Sequence, residues 1–353
     1  MANNGKFRNC CATYPSLRSD GSNFDEWWYN NKSFNEFREV VRTKFHQTCE
    51  SCARDEEIGV SSLRVIFNKD REVHTATLPS YWSVRFGNVC NLACWSCDEN
   101  SSSTIAAHKR VINILPDSYH SPAEDFQNSW DKVKYQILQS YDQHDIIYLS
   151  ALGGEPTVSV AFFEFAQTLI QTGLSKRTVL EITTNCSKIN KYSILMLDKS
   201  LWREVRVFAS IDAIGKVSEW IRYGSNWNDV TNNLEFYKKY ASYLEIHTVI
   251  TMLNITFLPE LMLYMQSEQI PVKLISSVYP EFMDITKWDK GKDFLREKDF
   301  EQAGIYNVWQ SVGARSSAGS ADQLANFIHK FDSIRLPLRD FSHSLAGILL
   351  GEK

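Results

Sequence analysis

From Tyr81 onward, short runs of apolar residues alternate with longer segments whose apolar positions recur three and four residues apart. The short runs have the length of strands, whereas AFFEFAQTLIQTG and DVTNNLEFYKKYASY have the period of amphipathic helices. This alternation predicts a parallel sheet covered by helices, so the predicted fold class is α/β. The predicted strands lie in YWSVRFGN, DIIYLSALGGE, TVLEITTN, EVRVFASID, LEIHTVITMLN and VKLISSVYP. Polar or glycine-rich turns follow most of these runs, at the edge where parallel α/β folds bind ligands.

Changes in this pattern divide the chain into four parts. A small, irregular, cysteine-rich domain comes first, followed by a connector, the α/β core and a C-terminal helical extension. These parts are predicted to span residues 1–68, 69–80, 81–290 and 291–353. Within the first part, Ser33 and Glu36 form a capping-box pattern, which predicts a helix beginning near Phe34.

Composition and charge exclude several classes of function. Hydrophobic residues make up 43% of the 353 positions, so the chain can build a large core. The formal net charge is −4 and no basic run stands out, which argues against a nucleic-acid partner. We see no secretory signal and no apolar stretch of about 18 residues, so we expect a cytoplasmic protein without a membrane partner. In such a protein, eight cysteines, seven of them before residue 98, indicate reduced thiols for metal or redox chemistry.

Three of these cysteines lie in NVCNLACWSC, directly after the first predicted strand, with the spacing C-x3-C-x2-C. Cys90, Cys94 and Cys97 could bind one metal centre from a single loop. A structural zinc ion takes four protein ligands, and the next candidate after the loop is His108. Three thiolates suit a [4Fe-4S] cluster better, since one iron then stays open to a substrate or cofactor. A zinc-binding loop and three unrelated buried thiols are the alternatives.

With this loop, the chain resembles the radical S-adenosylmethionine (SAM) enzymes. The resemblance covers residues 81–280 and implies an open (β/α)6 partial TIM barrel. It also implies that the open iron of the [4Fe-4S] cluster binds SAM, and that the reduced cluster cleaves SAM to a 5'-deoxyadenosyl radical, which abstracts a substrate hydrogen atom. Many members have an aromatic residue just before the last cysteine, whereas this chain has Ser96 there and Trp95 one position earlier.

The turns after the second and third strands match this resemblance. In LGGEP, Gly153 and Gly154 allow a close backbone approach, and Glu155 would hold the SAM amino group. An ordinary strand-to-helix turn is the alternative for this stretch. In TTNC, Asn185 is expected to face the cofactor, and Cys186 replaces a glycine that is common in the family. We interpret Cys186 as a buried, inert thiol, with an additional cluster ligand as the alternative.

The turn after the fourth strand adds two oxygen ligands and a cation. Ser210 and Asp212 in SID lie on the same face of the strand, because they are two residues apart. By resemblance, they would bind the ribose hydroxyls of SAM. Arg222 would approach the SAM carboxylate or the substrate, and a surface salt bridge is the alternative for it. Asn254, after the fifth strand, is a candidate by position alone.

The cysteines of the N-terminal part form a second potential metal-ligand set, namely Cys10, Cys11, Cys49 and Cys52. Zinc or an auxiliary [4Fe-4S] cluster would accept these ligands. The segment resembles the twitch/SPASM accessory module of radical SAM proteins, although that module follows the barrel in the better-known members. We expect Cys11, Cys49 and Cys52 to bind the metal, and Cys10 is the candidate for a fourth ligand; with three ligands only, an open iron would be left for the substrate.

The resemblance implies an oxidoreductase in which the auxiliary cluster accepts the electron of the substrate radical. We favour dehydrogenation of a small molecule, because no extended peptide-recognition domain is visible in the sequence. A peptide-modifying radical SAM enzyme is the alternative, and a catalytically inert, zinc-binding interaction protein is the second alternative. A reductant such as flavodoxin or ferredoxin would be the partner. The absence of a cobalamin-binding pattern before the barrel argues against that methylating subclass.

Overall fold

A computed structural model of the chain describes residues 7, 24–57, 62, 64–65, 77–189, 191–277, 280–288, 291–315 and 320–337. The strands in this part of the chain are β1 (Tyr81–Arg85), β2 (Ile147–Leu152), β3 (Thr178–Thr184), β4 (Glu204–Ser210), β5 (Tyr243–Ile250) and β6 (Val272–Ser276). They form one sheet in the order β1-β2-β3-β4-β5-β6, and every neighbouring pair is parallel. Because β1 and β6 form the two edges, the barrel is open. The predicted α/β class and open (β/α)6 partial barrel are thus confirmed.

Helices flank and connect the strands, as parallel pairing requires. The α-helices of the described residues are α1 (Lys32–Thr43), α2 (Glu50–Glu57), α3 (Ser103–Val111), α4 (Pro122–Ser140), α5 (Val160–Gln171), α6 (Lys191–Met196), α7 (Gly215–Ile221), α8 (Trp227–Tyr240), α9 (Leu258–Ser267), α10 (Glu297–Gln302), α11 (Tyr306–Ser311) and α12 (Ser320–His329). A π-helical turn, Glu26–Asn30, precedes α1. Among the helices described, none combines the length and the apolar character needed to span a lipid bilayer.

The two faces of the sheet differ in character. Apolar side chains such as Leu149, Leu180 and Val205 follow one another in register and are fully buried. The opposite face carries a polar row that crosses the sheet in register. The row consists of Ser83, Ser150, Glu181, Arg206 and Tyr243. Since side chains alternate between the two faces, the apolar face forms the core with the helices and the polar face is left for the barrel interior.

Aromatic side chains join the N-terminal segment to the first strand. The rings of Trp27 and Phe34 stack with their centroids 4.5 Å apart, and the Phe24 ring lies 5.3 Å from that of Trp82 in β1. All four side chains are buried. The hydrophobic core of the barrel therefore continues into the segment that carries Cys49 and Cys52.

The N-terminus of α1 differs from the prediction. The helix near Phe34 is present, but it begins at Lys32, and the N-cap is Asn31 rather than Ser33. The Asn31 side chain accepts a hydrogen bond of 2.9 Å from the Phe34 amide, three residues later. Asparagine caps helices as well as serine does. Asn31 precedes Ser33 in the chain, and it is the N-cap.

The C-terminal extension packs on the core near the cysteine loop. Phe327 and Phe331, from α12 and the turn after it, contact the ring of Trp95 at centroid distances of 6.0 and 5.4 Å. This contact brings the last described residues, around Arg335, next to the loop that carries the three predicted metal ligands.

Candidate functional site

The loop between β1 and α3 carries Cys90, Cys94 and Cys97 at the carboxyl edge of the sheet. Two backbone hydrogen bonds fix its middle to the chain around the end of α7. The Ala93 amide donates to the Tyr223 carbonyl at 2.8 Å, and the Trp95 amide donates to the Ile221 carbonyl at 3.0 Å. The loop is thus held against the carboxyl end of α7, although the two lie far apart in the sequence.

Hydroxyl side chains at the start of α3 hold the other side of the loop. The Ser102 hydroxyl donates to the Leu92 carbonyl at 2.7 Å and accepts from the Ile105 amide at 3.2 Å, so it caps the helix and fixes the loop together. The Thr104 hydroxyl donates to the Cys90 carbonyl at 2.6 Å. The run SSST that follows the cysteines therefore supports the loop, a role that the sequence analysis missed.

The environment of the three thiols disfavours their charged form. Burial raises the pKa of Cys90 to about 12, and the neighbouring Cys94 adds to the increase. Burial also raises the pKa of Cys94, against the lowering effect of Arg222, and raises that of Cys97. Each thiol would bind a metal as its thiolate. Because the surroundings disfavour that negative charge, the positive charge of the bound metal has to stabilise it.

By their chemistry, three thiols in one loop are a donor set that an iron-sulfur cluster takes, whereas a structural zinc ion takes four protein ligands. Within the described residues, no group of three or more His, Cys, Asp or Glu side chains could hold one metal ion. In a [4Fe-4S] cluster each cysteine binds a different iron, so the three sulfurs need not meet at one point. The loop therefore suits three cluster ligands. Of the second predicted set, Cys49 is half-buried and Cys52 is buried, whereas Cys10 and Cys11 lie outside the described residues.

The glycines of the GGE turn contact the cysteine loop. The Gly154 amide donates to the Gly87 carbonyl at 3.0 Å, and a Cβ atom on Gly154 would lie 2.1 Å from the Val89 carbonyl oxygen. Gly153 has a φ of +137°, and a Cβ atom there would lie 2.9 Å from the Gly87 oxygen. The two glycines therefore allow a close approach to the backbone just before Cys90, and their contact with a cofactor stays a prediction.

Glu155 joins the ends of β2 and β3. Its Oε1 accepts hydrogen bonds from the Thr157 amide and hydroxyl and from the Thr184 hydroxyl at 3.1, 2.8 and 2.8 Å. Its Oε2 accepts a hydrogen bond of 2.6 Å from the Asn185 amide. The side chain is 1% exposed, and burial raises its pKa, although all four donors favour the charged form.

Asn185 reaches the cysteine loop, as the prediction that it faces the site requires. Its Nδ2 lies 3.8 Å from the Cys90 sulfur and donates to the Asn91 Oδ1 at 3.1 Å. Its Oδ1 accepts from the Ser187 hydroxyl at 2.7 Å, and Asn91 donates to that same hydroxyl at 2.8 Å. Asn91 and Ser187 belong to this network, and the sequence analysis did not identify them.

Asp212 and Arg222 form a buried ion pair beside Cys94. The Arg222 Nη2 lies 2.8 Å from the Asp212 Oδ2, and the Arg222 Nη1 lies 3.9 Å from the Cys94 sulfur. Burial disfavours the Arg222 charge, but the Asp212 carboxylate raises its pKa. The surface salt bridge considered for Arg222 is therefore wrong, because both side chains are buried. Ser210 is the last residue of β4; its side chain is half-buried, and the residue pairs in register with His247 of β5.

Two further candidate residues, Cys186 and Asn254, have side chains that contact backbone carbonyls. Cys186 is completely buried at a φ of +59°, and its sulfur lies 3.8 Å from the Val230 carbonyl in α8. This position agrees with the interpretation of a buried thiol and explains why glycine is favoured there. The Asn254 side chain donates to the Asp212 and Val249 carbonyls at 2.9 Å each, so it supports the turn after β5.

Arg335, from the C-terminal extension, lies next to the loop and was not predicted. Its guanidinium carbon lies 4.2 Å from the centre of the Trp95 ring, and its Nε donates to His108 at 3.3 Å. Burial lowers the pKa of Arg335 to about 10. No motif or spacing in the sequence connects this arginine to the cysteines, since only the folded chain brings them together.

Comparisons with known proteins complete the description. No protein-family model and no curated protein matches the sequence. Among solved structures, anSMEcpe with bound AdoMet is 19% identical over 77% of this chain and 67% of its own, with a TM-score of 0.44. Streptococcus suis SuiB bound to the precursor peptide SuiA is 15% identical over 76% of this chain and 60% of its own, with a TM-score of 0.40.

TYW1 with a lysine-pyruvate adduct bound is 12% identical over 73% of this chain and 90% of its own, with a TM-score of 0.33. The chain thus spans about two thirds of the length of anSMEcpe and less of SuiB. At this level of similarity, none of the comparisons identifies an activity.

Proposed function

We propose that the chain is a radical SAM enzyme whose cluster is bound by Cys90, Cys94 and Cys97. One observation carries this proposal. The turns that follow β2 and β3 and the carboxyl end of α7, which are far apart in the sequence, all contact the same cysteine loop. Gly154 and Glu155 donate backbone hydrogen bonds to it, Asn185 contacts Cys90, and Arg222 contacts Cys94; the distances are 3.0, 2.8, 3.8 and 3.9 Å.

The protein would hold the cofactor through groups that remain available around this loop. When bound, the cluster would supply the electron for reductive cleavage of SAM. Glu155 would accept a hydrogen bond from the SAM amino group through Oε2, which accepts one hydrogen bond from the described residues, whereas Oε1 accepts three. Arg222 would pair with the SAM carboxylate, and Ser210 and Asp212 would accept from the ribose hydroxyls.

Arg222 and Asp212 have an additional role in this arrangement. Because each neutralises the other in a buried environment, neither can leave the pair without a new partner. A carboxylate near Arg222 would compete with Asp212 and release a carboxylate oxygen for a hydroxyl donor. We therefore expect Arg222 to contact the SAM carboxylate when SAM binds, and the Asp212 carboxylate to accept from a hydroxyl group.

We favour oxidation of a small, polar molecule as the overall reaction. The polar row in the barrel interior supports this choice. The Glu181 carboxylate of this row accepts a hydrogen bond of 2.9 Å from the hydroxyl of Tyr81 in β1, and Arg206 lies 3.5 Å from the same carboxylate. A peptide is the alternative substrate. It is the class of molecule bound to SuiB, but that likeness is too distant to decide.

Anaerobic reconstitution with iron and sulfide, followed by SAM and dithionite, tests this function. We expect a brown protein that forms 5'-deoxyadenosine, because the three thiols can bind a cluster with one open iron. A colourless protein with stoichiometric zinc would instead favour the inert, zinc-binding interaction protein. A brown protein that leaves SAM intact would overturn the radical SAM assignment while keeping the cluster.

The proposal includes an auxiliary cluster bound by Cys49 and Cys52 together with Cys11, with Cys10 as the candidate fourth ligand. It would accept the electron left after substrate oxidation, and a flavodoxin or ferredoxin would reduce the first cluster. We expect the Cys49→Ala/Cys52→Ala variant to lose about four of about eight irons per chain and to keep SAM cleavage. Cys186→Ala is the matched control and should lose none. An unchanged iron count in the double variant would exclude the auxiliary cluster.

A further inference from the structure

Arg335 combines deep burial with a guanidinium group whose Nε donates to His108 but whose two terminal nitrogens lack acceptors among the described residues. Its side chain is 4% exposed, and among the described residues neither Nη1 nor Nη2 has a hydrogen-bond partner. A buried, unpaired guanidinium is costly, because water no longer solvates the charge. Such a group in a folded protein requires an explanation, and a bound anion is the simplest one.

Aromatic rings surround this guanidinium. Its carbon lies 4.2 Å from the ring centre of Trp95, 4.5 Å from that of Phe331 and 5.1 Å from that of Tyr223. Cation–π contacts of this kind hold the planar group in place and partly compensate for lost water. They give it no hydrogen-bond acceptor, so both Nη atoms stay available.

Two buried arginines approach the cysteine loop, one at Cys94 and the other at Trp95. Arg222 contacts the Cys94 sulfur from the carboxyl end of α7, at 3.9 Å. Arg335 lies on the side of the C-terminal extension, with its guanidinium carbon 4.2 Å from the ring centre of Trp95, the residue directly after Cys94. Arg222 already pairs with Asp212, so of the two arginines Arg335 is the one whose terminal nitrogens have no acceptor among the described residues. The negative charge that would match Arg335 is therefore a charge on Cys94 or on a group bound to it.

We propose that Arg335 is a positioning residue for the iron-sulfur cluster, which neutralises the negative charge of the Cys94 thiolate and of the cluster bound to it. This inference rests on the proposed function. It makes the C-terminal extension a part of the cluster site, because Arg335 follows α12. An anion from solvent fits less well, since Trp95, Phe331 and Tyr223 cover a side chain that is 4% exposed.

The test compares Arg335→Met, which keeps the length and apolar packing of the side chain, with Arg335→Lys, which keeps the charge. Arg296→Met is the matched control, because Arg296 is an exposed arginine paired with Asp299 on the surface. The cluster of each reconstituted variant is titrated with dithionite and followed by its absorbance and electron paramagnetic resonance. The melting temperature of the iron-free protein and the dissociation constant of SAM are measured in parallel.

In Arg335→Met, we expect the reduction potential to become more negative, and the equilibrium constant for reduction to fall on the order of tenfold, because reduction adds a negative charge that the arginine stabilises. Arg335→Lys should restore most of this loss, and Arg296→Met should equal the unmodified chain. The iron-free Arg335→Met protein should be at least as stable as the unmodified chain, since an unpaired buried charge is gone.

Two results would overturn the proposal. An unchanged potential with weaker SAM binding would mean that Arg335 binds an anionic group of the cofactor. An unchanged potential with unchanged SAM binding would leave only a packing role. If Arg335→Met does not fold, Arg335→Gln replaces it in the same comparison. Failure of the unmodified chain to take up iron would overturn the proposed function as well, which distinguishes that outcome from a failure of Arg335 alone.

Discussion

Gly154→Ala is expected to destabilise the folded chain by about 3 kcal/mol and to prevent stable iron binding. The added Cβ atom would lie 2.1 Å from the carbonyl oxygen and 2.5 Å from the carbonyl carbon of Val89, and 2.6 Å from the carbonyl carbon of Asn88. All of these are backbone atoms, so no side-chain rotation can relieve the overlap. The loop has to move away from β2, and Cys90, directly after Val89, moves with it.

Thermal unfolding and iron analysis of the reconstituted protein measure these two effects. Gly173→Ala is the matched control, because Gly173 lies in a turn with a φ of +75° and has no described atom within 4 Å of the added Cβ position. This control should lose about 1 kcal/mol through backbone strain and keep its iron. If Gly154→Ala melts like the unmodified chain and binds iron normally, the close approach between the GGE turn and the cysteine loop does not exist.

Two kinds of local pattern made the strands predictable, namely alternation of buried and half-buried positions, as in β4, and a short apolar run, as in β3, which is buried on both faces. In β4, Glu204–Ser210, buried and half-buried residues alternate along the whole strand, and apart from Phe208 the sequence shows the same alternation of apolar and polar residues. Helices cover one face of every strand, so the apolar periodicity repeats along the core. The N-cap of α1 was less predictable, because Asn31 and Ser33 both have capping side chains close to the helix start.

The position of the site was also predictable, since parallel strands bring the turns at their carboxyl ends to one edge. The partners within the site were not. Asp212 pairs with Arg222 at 2.8 Å, and the spacing of SID predicts only the face on which Asp212 lies. Arg335 reaches Trp95 through the path of the C-terminal extension, which no local pattern encodes. Hydrogen-bond partners in loops depend on tertiary structure, whereas strand periodicity is local.

Replacing a thiol of the loop is the second change with a large expected effect. Cys94→Ser should abolish binding of the SAM-cleaving cluster and reduce formation of 5'-deoxyadenosine at least about a hundredfold, because changes even to the partners of metal ligands commonly weaken binding or activity by 10- to 100-fold. The serine hydroxyl is nearly the size of the thiol, but it is a much poorer ligand for iron. The Arg222 charge near Cys94 would then face a neutral group instead of a thiolate.

Cys186→Ser makes the same chemical change at a thiol that binds no iron in this proposal. Its side chain is completely buried, and its sulfur lies 3.8 Å from the Val230 carbonyl, so the shorter serine side chain leaves its hydroxyl beyond hydrogen-bond distance of that carbonyl, and the cost in stability should be about 1–3 kcal/mol. Iron content and 5'-deoxyadenosine formation in the two variants separate the roles of the thiols. If Cys94→Ser kept its iron while Cys186→Ser lost it, the cluster ligands would have to be reassigned, since Cys186 follows Asn185, which contacts Cys90.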